Sequence, residues 1–143
     1  STYAANPIGT RAGYEVMSIF DEERKELESE IARKGAKFLD GLKALEKKYK
    51  NIGTVNGLGF ALSVEVTEAD RFTPARELCD EIIEAGLKGD LTYKGKKCGL
   101  ILNNGGYFKN IITLVPQLYI SDEEIDMALE LMDQLFDRYM EKA

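Results

Sequence analysis

From Asp21 to about Tyr49, the apolar residues Leu27, Ile31, Phe38, Leu42, Leu45 and Tyr49 recur at steps of three, four or seven. That period lays one apolar stripe along a helix, beneath a solvated face rich in Glu, Lys and Arg. A helix over 7–20 leads into it, with Asn6 as N-cap and Pro7 at the first helical position, where a missing N–H does no harm. Asn51 and Gly53 break the helical pattern. Phe60, Leu62, Val64 and Val66 then alternate with Ala61, Ser63 and Glu65, the period of a half-buried strand. Thr73-Pro74 reads as the cap and first-turn proline of another helix, whose inner face carries Ala75, Leu78, Cys79, Ile82 and Ile83 and which Gly86 ends. Residues 98–102 and 111–115 are short apolar runs separated by Asn103-Asn104-Gly105-Gly106, which predicts a hairpin with a loop of several residues. Ser121-Asp122-Glu123-Glu124 is a capping box, and Ile125, Ala128, Leu129, Met132, Leu135, Phe136 and Tyr139 follow it at helical spacing. Met127, Met132 and Met140 are core filler or partner-facing residues.

These elements predict an α+β fold, a small and largely antiparallel sheet of three to four strands with helices packed on one face, preceded by a long helix. No internal repeat, low-complexity segment or domain boundary interrupts residues 1–143, so the chain reads as one domain.

Composition narrows the chemistry. With 143 residues, 44 % hydrophobic and 31 % charged, the chain suits a soluble domain with a buried core. Nineteen basic against 25 acidic side chains give a net charge of −6, which argues against a nucleic-acid partner because phosphate binding depends on clustered Lys and Arg. The apolar runs fall short of the ~18 residues a membrane helix needs, and the opening Ser-Thr-Tyr-Ala-Ala-Asn-Pro lacks the form of a signal peptide, so a cytoplasmic location is expected with no membrane partner. The chain has no histidine. That excludes, within this chain, a Ser-His-Asp or Cys-His nucleophile pair, His-ligated zinc and a His base. Cys79 lies in a helical pattern and Cys98 opens a strand-like run, a spacing that fits no metal or redox motif; both are expected as buried thiols without a disulfide. Gly57-Leu58-Gly59 has no third glycine, since Leu62 stands there, and it precedes a strand, so it is no dinucleotide fingerprint. Gly95-Lys96-Lys97 lacks the other residues of a phosphate loop and reads as a turn.

The opening Ser1-Thr2-Tyr3-Ala4-Ala5-Asn6-Pro7-Ile8-Gly9 resembles a segment of the class III (ornithine and ω-amino acid type) pyridoxal-phosphate aminotransferases, of the form Ser/His-Thr-Tyr/Phe-Gly-Gly-Asn-Pro-Leu, where the large domain passes into the C-terminal small domain. Two further stretches follow in the family's order. Ile52-Gly53-Thr54-Val55-Asn56-Gly57-Leu58-Gly59 is similar to Ile-Gly-x-Val-Arg-Gly-x-Gly, and Ile111 to Ile120 is similar to Ile-Ile-Arg-Phe-x-Pro-Pro-Leu-x-Ile. The closing Ser-Asp-Glu-Glu-Ile-Asp helix also fits, so the resemblance spans essentially the whole chain.

The resemblance implies a small domain, fold type I, of a dimeric enzyme that uses pyridoxal 5'-phosphate to move an amino group from an amino acid or ω-amine to a 2-oxo acid. In that family the Ser-Thr pair binds the cofactor phosphate in the neighbouring subunit, which makes Thr2 the first cofactor-binding candidate here and Ser1 the second. Hydroxyls and backbone N–H groups ahead of a helix N-terminus suit a dianion. The bland alternative is that both residues are only a terminus ahead of an Asn cap. Two positions depart from the family: Asn56 and Thr113 stand where arginines are usual, the second of which pairs with a substrate carboxylate in ornithine-type members. A hydroxyl does not reproduce a bidentate guanidinium grip, so a carboxylate must be held elsewhere or the substrate is an amine of another kind; Thr113 facing the sheet is an equal alternative.

The family's Schiff-base lysine belongs to the large domain, and the lysines here lie on charged helical faces or in the Lys94–Lys97 turn. No catalytic residue is therefore expected in this chain, nor a metal site, and by itself it is expected to be inactive: a fragment, or one domain of a longer polypeptide with a large domain as its partner. A second reading is a stand-alone α+β interaction or ligand-sensing domain without catalysis. Within the family, racemases and an aminomutase share the cofactor and remain alternatives to transamination.

Overall fold

The computed structural model describes residues 6–143, and its first element starts where Asn6 can cap it. The Asn6 Oδ1 accepts from the N–H groups of Ile8 (2.9 Å) and Gly9 (3.1 Å), and Pro7 opens helix α1, Pro7–Lys48. The sequence predicts a helix over 7–20 and a longer one after it; the structure has one uninterrupted helix of 42 residues. Phe20-Asp21 carries no cap or proline, and the spacing Val16, Phe20, Leu27, Ile31 keeps one apolar stripe in phase across the expected junction. Packing begins late on that stripe. Leu27, Phe38, Leu42 and Leu45 are buried and Ile31 is half-buried, whereas residues 7–26 are exposed apart from the half-buried Ser18. At the far end Tyr49 is the C-cap, and Arg71, at φ 62°, donates through its guanidinium to the carbonyls of Glu46 (2.9 Å) and Tyr49 (3.2 Å).

The sheet is antiparallel throughout. Strands β1 (Ile52–Leu58), β2 (Ala61–Val66), β5 (Asn103–Gly105) and β6 (Ile111–Leu114) run in the order β1-β2-β6-β5, and β3 (Leu91–Tyr93) with β4 (Lys96–Cys98) forms a separate hairpin. Helices α1, α2 (Arg76–Leu87) and α3 (Asp122–Tyr139) cover one face of the four-stranded sheet. The core between them includes Phe38, Leu42, Val64, Ile82, Ile112, Leu135 and Phe136. Met132 and Met140 are buried in it and Met127 packs at its edge, which makes all three core filler.

Several local expectations are corrected. The stretch after Asn51, to which the sequence assigns no element, is strand β1, and Gly53 sits where a Cβ would meet the Thr67 methyl at 2.7 Å. Helix α2 starts at Arg76 with Ala75 as an N-cap that makes no side-chain bond. Thr73 is no cap, because Asp70 takes it: the Asp70 carboxylate accepts from the N–H groups of Phe72 and Thr73 (2.8 Å each) and from the Thr73 hydroxyl (2.6 Å), while Pro74 bridges to Thr67. Gly86 lies inside α2 and its carbonyl accepts from the Leu100 N–H at 2.9 Å.

The expected loop Asn103-Asn104-Gly105 is strand β5, paired with β6, and the connection is 106–110. The Asn104 amide reaches Asp80 on α2 at 2.7 Å, a tertiary tether that outweighs the turn preference of Asn-Gly. Cys98 closes β4 instead of opening a strand, and it is half-buried where burial was expected; Cys79 is buried. The turn expected at Gly95-Lys96-Lys97 is confined to Lys94-Gly95, since Lys96 and Lys97 pair with Tyr93 and Thr92 in the β3–β4 hairpin; the Ser121 capping box stands where the sequence places it, with Ser121 Oγ accepting from the Glu124 N–H at 3.2 Å and the Ser121 N–H donating back to the Glu124 carboxylate at 2.7 Å. No helix among the described residues is long and apolar enough to cross a membrane.

Candidate functional site

Two places in the fold bear on the sequence-derived candidates: the start of α1 and the face of the sheet that the helices leave open. Ser1 and Thr2, the cofactor-phosphate candidates, lie outside the described residues. The helix behind them is described, and its first turn has no N–H to spare. Pro7 has none, those of Ile8 and Gly9 go to the Asn6 side chain, and that of Thr10 goes to the Asn6 carbonyl at 2.8 Å. A dianion ahead of this helix would thus be met by its dipole and by groups upstream of Asn6, and not by the amides of α1.

The second place is built by strand register. Period two turns Val55, Leu62, Val64 and Ile112 toward the helices, where they are buried, and turns their alternates outward. Asn56 pairs with Ser63, Ser63 with Thr113, and Thr113 with Asn103, so four side chains form a row across β1, β2, β6 and β5. Asn56, Thr113 and Asn103 are exposed and Ser63 half-buried. The row lies beside a depression of about 340 Å³ whose margin includes Gly57, Ala61 and Val115. Next to it Thr113 and Asn103 border an apolar crevice of about 380 Å³ that reaches Phe38, Ile120 and Met132.

The bonds around the row are long. The Asn56 amide donates to the Thr54 hydroxyl at 3.3 Å and the Ser63 hydroxyl to the Asn56 carbonyl at 3.4 Å, while the Thr54 hydroxyl reaches the Glu65 carboxylate at 3.2 Å. The two positions that depart from the family resemblance, Asn56 and Thr113, are therefore brought onto one line, about 10 Å apart across the intervening strand. Ser63 and Asn103 complete that line unannounced. Ser63 carries a signal in its outward phase, whereas Asn103 carries none, because Asn103-Asn104-Gly105-Gly106 reads as a loop.

No lysine in the structure is buried. Lys34 and Lys37 are half-buried and ion-paired, with Glu30 (3.1 Å) and with Asp126 (2.7 Å) and Asp122 (3.3 Å), and the rest are exposed. The hydrogen bond to Asp126 raises the Lys37 ammonium above its ordinary value, the opposite of what a nucleophilic amine needs. Burial pushes the Cys79 thiol up to about 11, which keeps it protonated and unreactive. Among the described residues there is no group of three or more His, Cys, Asp or Glu able to hold a metal ion.

Residues 1–136 match the family model described as aminotransferase class-III. The 4-aminobutyrate aminotransferase of Escherichia coli (strain K12) is 34 % identical over 137 residues, 95 % of this chain and 30 % of that protein. The 5-aminovalerate aminotransferase of Pseudomonas putida is 32 % identical over 135 residues, 94 % of this chain and 29 % of that protein. In fold, the crystal structure of a Bacillus anthracis aminotransferase superposes with a TM-score of 0.77 at 22 % identity, covering 96 % of this chain and 30 % of that one. The chain spans about three tenths of the length of the relatives it matches.

Proposed function

The chain belongs to the class-III aminotransferase family, and on that premise we propose that it is the C-terminal small domain of a pyridoxal-phosphate transaminase of the ornithine and ω-amino acid type. The parent enzyme would move an amino group from an amino acid or ω-amine to a 2-oxo acid, as a cytoplasmic homodimer. The observation that carries this reading is the family match over residues 1–136, joined to a fold shared with a solved aminotransferase.

Pyridoxal phosphate, when bound, supplies the electron sink for the carbanion of the amino donor. This chain's part is to bind and orient. The hydroxyls of Thr2 and Ser1 hold the phosphate in the neighbouring subunit's site, with the α1 dipole behind them; because Asn6 occupies the first amides, the donors at that end are the hydroxyls and the backbone upstream. The exposed first half of α1 joins the domain to a large catalytic domain, and the open sheet face covers the substrate entrance. The isolated chain is inactive, since its lysines are exposed or ion-paired.

The test is the visible spectrum of the complete polypeptide, purified with pyridoxal phosphate and treated with borohydride. A borohydride-sensitive band, with a mass increase on one lysine outside these 143 residues and amino transfer to a 2-oxo acid, is the expected result. A folded product of the complete reading frame that takes up no cofactor overturns the reading in favour of an interaction or ligand-sensing domain.

A further inference from the structure

Residues 7–26 of α1 stand clear of the body, and Leu27 is the first of its side chains to be buried, at 5 % exposure. That turn of the helix is thinly held. A depression of about 480 Å³ lies on one side of Leu27, bounded by Glu26, Leu118 and Tyr119, and one of about 310 Å³ lies on the other, bounded by Met17, Phe20 and Arg24. Among the described residues no side chain of α1 before Glu23 bonds beyond its own helix and cap: Arg11 pairs with Glu15, and the Ser18 hydroxyl donates to the Tyr14 carbonyl. The outermost tertiary bond runs from the Tyr119 hydroxyl to the Glu23 carboxylate, at 2.8 Å and across 96 residues of sequence. Its far end is anchored, because Ile120 is buried, the Ile120 N–H donates to the Gln117 carbonyl at 3.1 Å, and Ser121 caps α3. The hydrogen bond to Glu23 raises the Tyr119 phenol above its ordinary value, so it keeps its proton and remains the donor.

A helix held at one point tilts about that point, and a second contact one turn away sets its direction. We propose that Tyr119 is a positioning residue, whose bond to Glu23 one turn before Leu27 fixes the angle at which the free half of α1 leaves the body. The contacts of Arg33 with Asp122 and of Lys37 with Asp126 lie beyond the pivot, on the packed side. Because α1 is one uninterrupted helix, the free half is a lever. At ~1.5 Å per residue, a tilt of about 10° at Leu27 carries position 11 through about 4 Å. In the transaminase reading, on which this consequence rests, the start of α1 is held by the large domain and the cofactor phosphate, so the bond sets how the body stands to both.

The experiment measures that angle in the complete polypeptide, loaded with pyridoxal phosphate. Nitroxides attached at positions 11 and 81 through encoded keto side chains report the distance from the free half of α1 to α2, in samples diluted with unlabelled protein so that one labelled chain is read at a time. The native protein is expected to give one narrow distance. Tyr119→Phe, which removes the donor, is expected to shift and broaden it by about 4 Å, the lever displacement above. Glu23→Ala should do the same, Glu23→Gln, whose amide oxygen still accepts, should match the native protein, and the double variant Tyr119→Phe with Glu23→Ala should go no further than either single one. Both residues are exposed, so the variants keep the fold, and equal melting temperatures check this. A Tyr119→Phe distance that superimposes on the native one, or a double variant that shifts by the sum of the singles, overturns the proposal. Amino transfer by the native sample is assayed alongside: its absence defeats the transaminase reading, and the distances decide the role of Tyr119 either way.

Discussion

At Gly35 the backbone of α1 meets the β1–β2 turn. A Cβ there would lie 2.5 Å from the carbonyl oxygen of Gly59, whose own φ of +56° suits glycine, and neither side can yield because both are backbone. Gly35→Ala is expected to lower stability by about 1–3 kcal/mol, read as a fall in the urea midpoint. Gly41→Ala makes the control, since the Cβ it adds meets only the Leu129 side chain, which can change rotamer; equal losses in the two variants would count against this account. The two glycines are alike in the sequence, each an interruption of a helical pattern, because what distinguishes them is a neighbour contributed by another part of the chain. Thr2 presents the opposite case, legible by resemblance and not by packing. In the full-length enzyme Thr2→Ala is expected to raise the cofactor Kd by about tenfold, the weight of a hydrogen bond to a charged group, with Ser1→Ala weaker. Unchanged cofactor titrations of both variants would return these residues to the plain-terminus alternative.

Between elements, α1 and α3 are joined by a cluster of charges in which Arg33 bridges Glu30 (3.1 Å) and Asp122 (2.8 Å) while Lys37 reaches Asp122 and Asp126. The hydrogen bonds from Arg33 hold the carboxyls of both Glu30 and Asp122 down to about 2. A carboxyl depressed in the folded state stabilises fully above its ordinary value near 4 and loses that contribution as pH falls from about 4 toward 2. Arg33 and Asp126 are exposed and Glu30, Lys37 and Asp122 no more than half-buried, so the contribution is screened and shrinks in high salt. The denaturation midpoint is thus expected to drop between pH 5 and pH 2, with a shallower drop in Arg33→Met and in molar salt. Parallel pH profiles for native protein and variant would show that the cluster does not couple the helices. The ends of these two helices were legible, because Asn6-Pro7 and Ser121 to Glu124 are satisfied within a few residues of themselves. The start of α2 and the strand β5 were not, since Thr73 is claimed by Asp70 and Asn104 by Asp80 and by the Lys109 carbonyl. A local signal is readable where its hydrogen bonds close locally.

Across the whole molecule, the helices-on-one-face fold followed from counting periods, while the row on the other face did not, because Asn56 and Thr113 meet only through β2 lying between β1 and β6. The α1 stripe raises the complementary question of what covers it. From Leu27 onward it is packed on the body, yet Ile8, Val16, Met17, Ile19 and Phe20 remain 37–82 % exposed. Apolar surface of that extent on a helix standing free of its own domain is surface meant for burial. If a large domain covers it in the parent enzyme, the isolated chain should associate through it: light scattering is expected to give a mass above the 16.0 kDa of the monomer, rising with concentration. Val16→Ser with Phe20→Ser should restore the monomer without loss of the body's fold, since neither residue belongs to the core. In the same samples, amides of 7–22 in that variant should exchange much faster than those of 27–48, because the helix before the Tyr119 hydroxyl's bond to the Glu23 carboxylate (2.8 Å) has mainly its own weak propensity to hold it. A native chain that stays monomeric at high concentration, with uniform protection along α1, would mean that this half of the helix stands alone in water and carries no docking role.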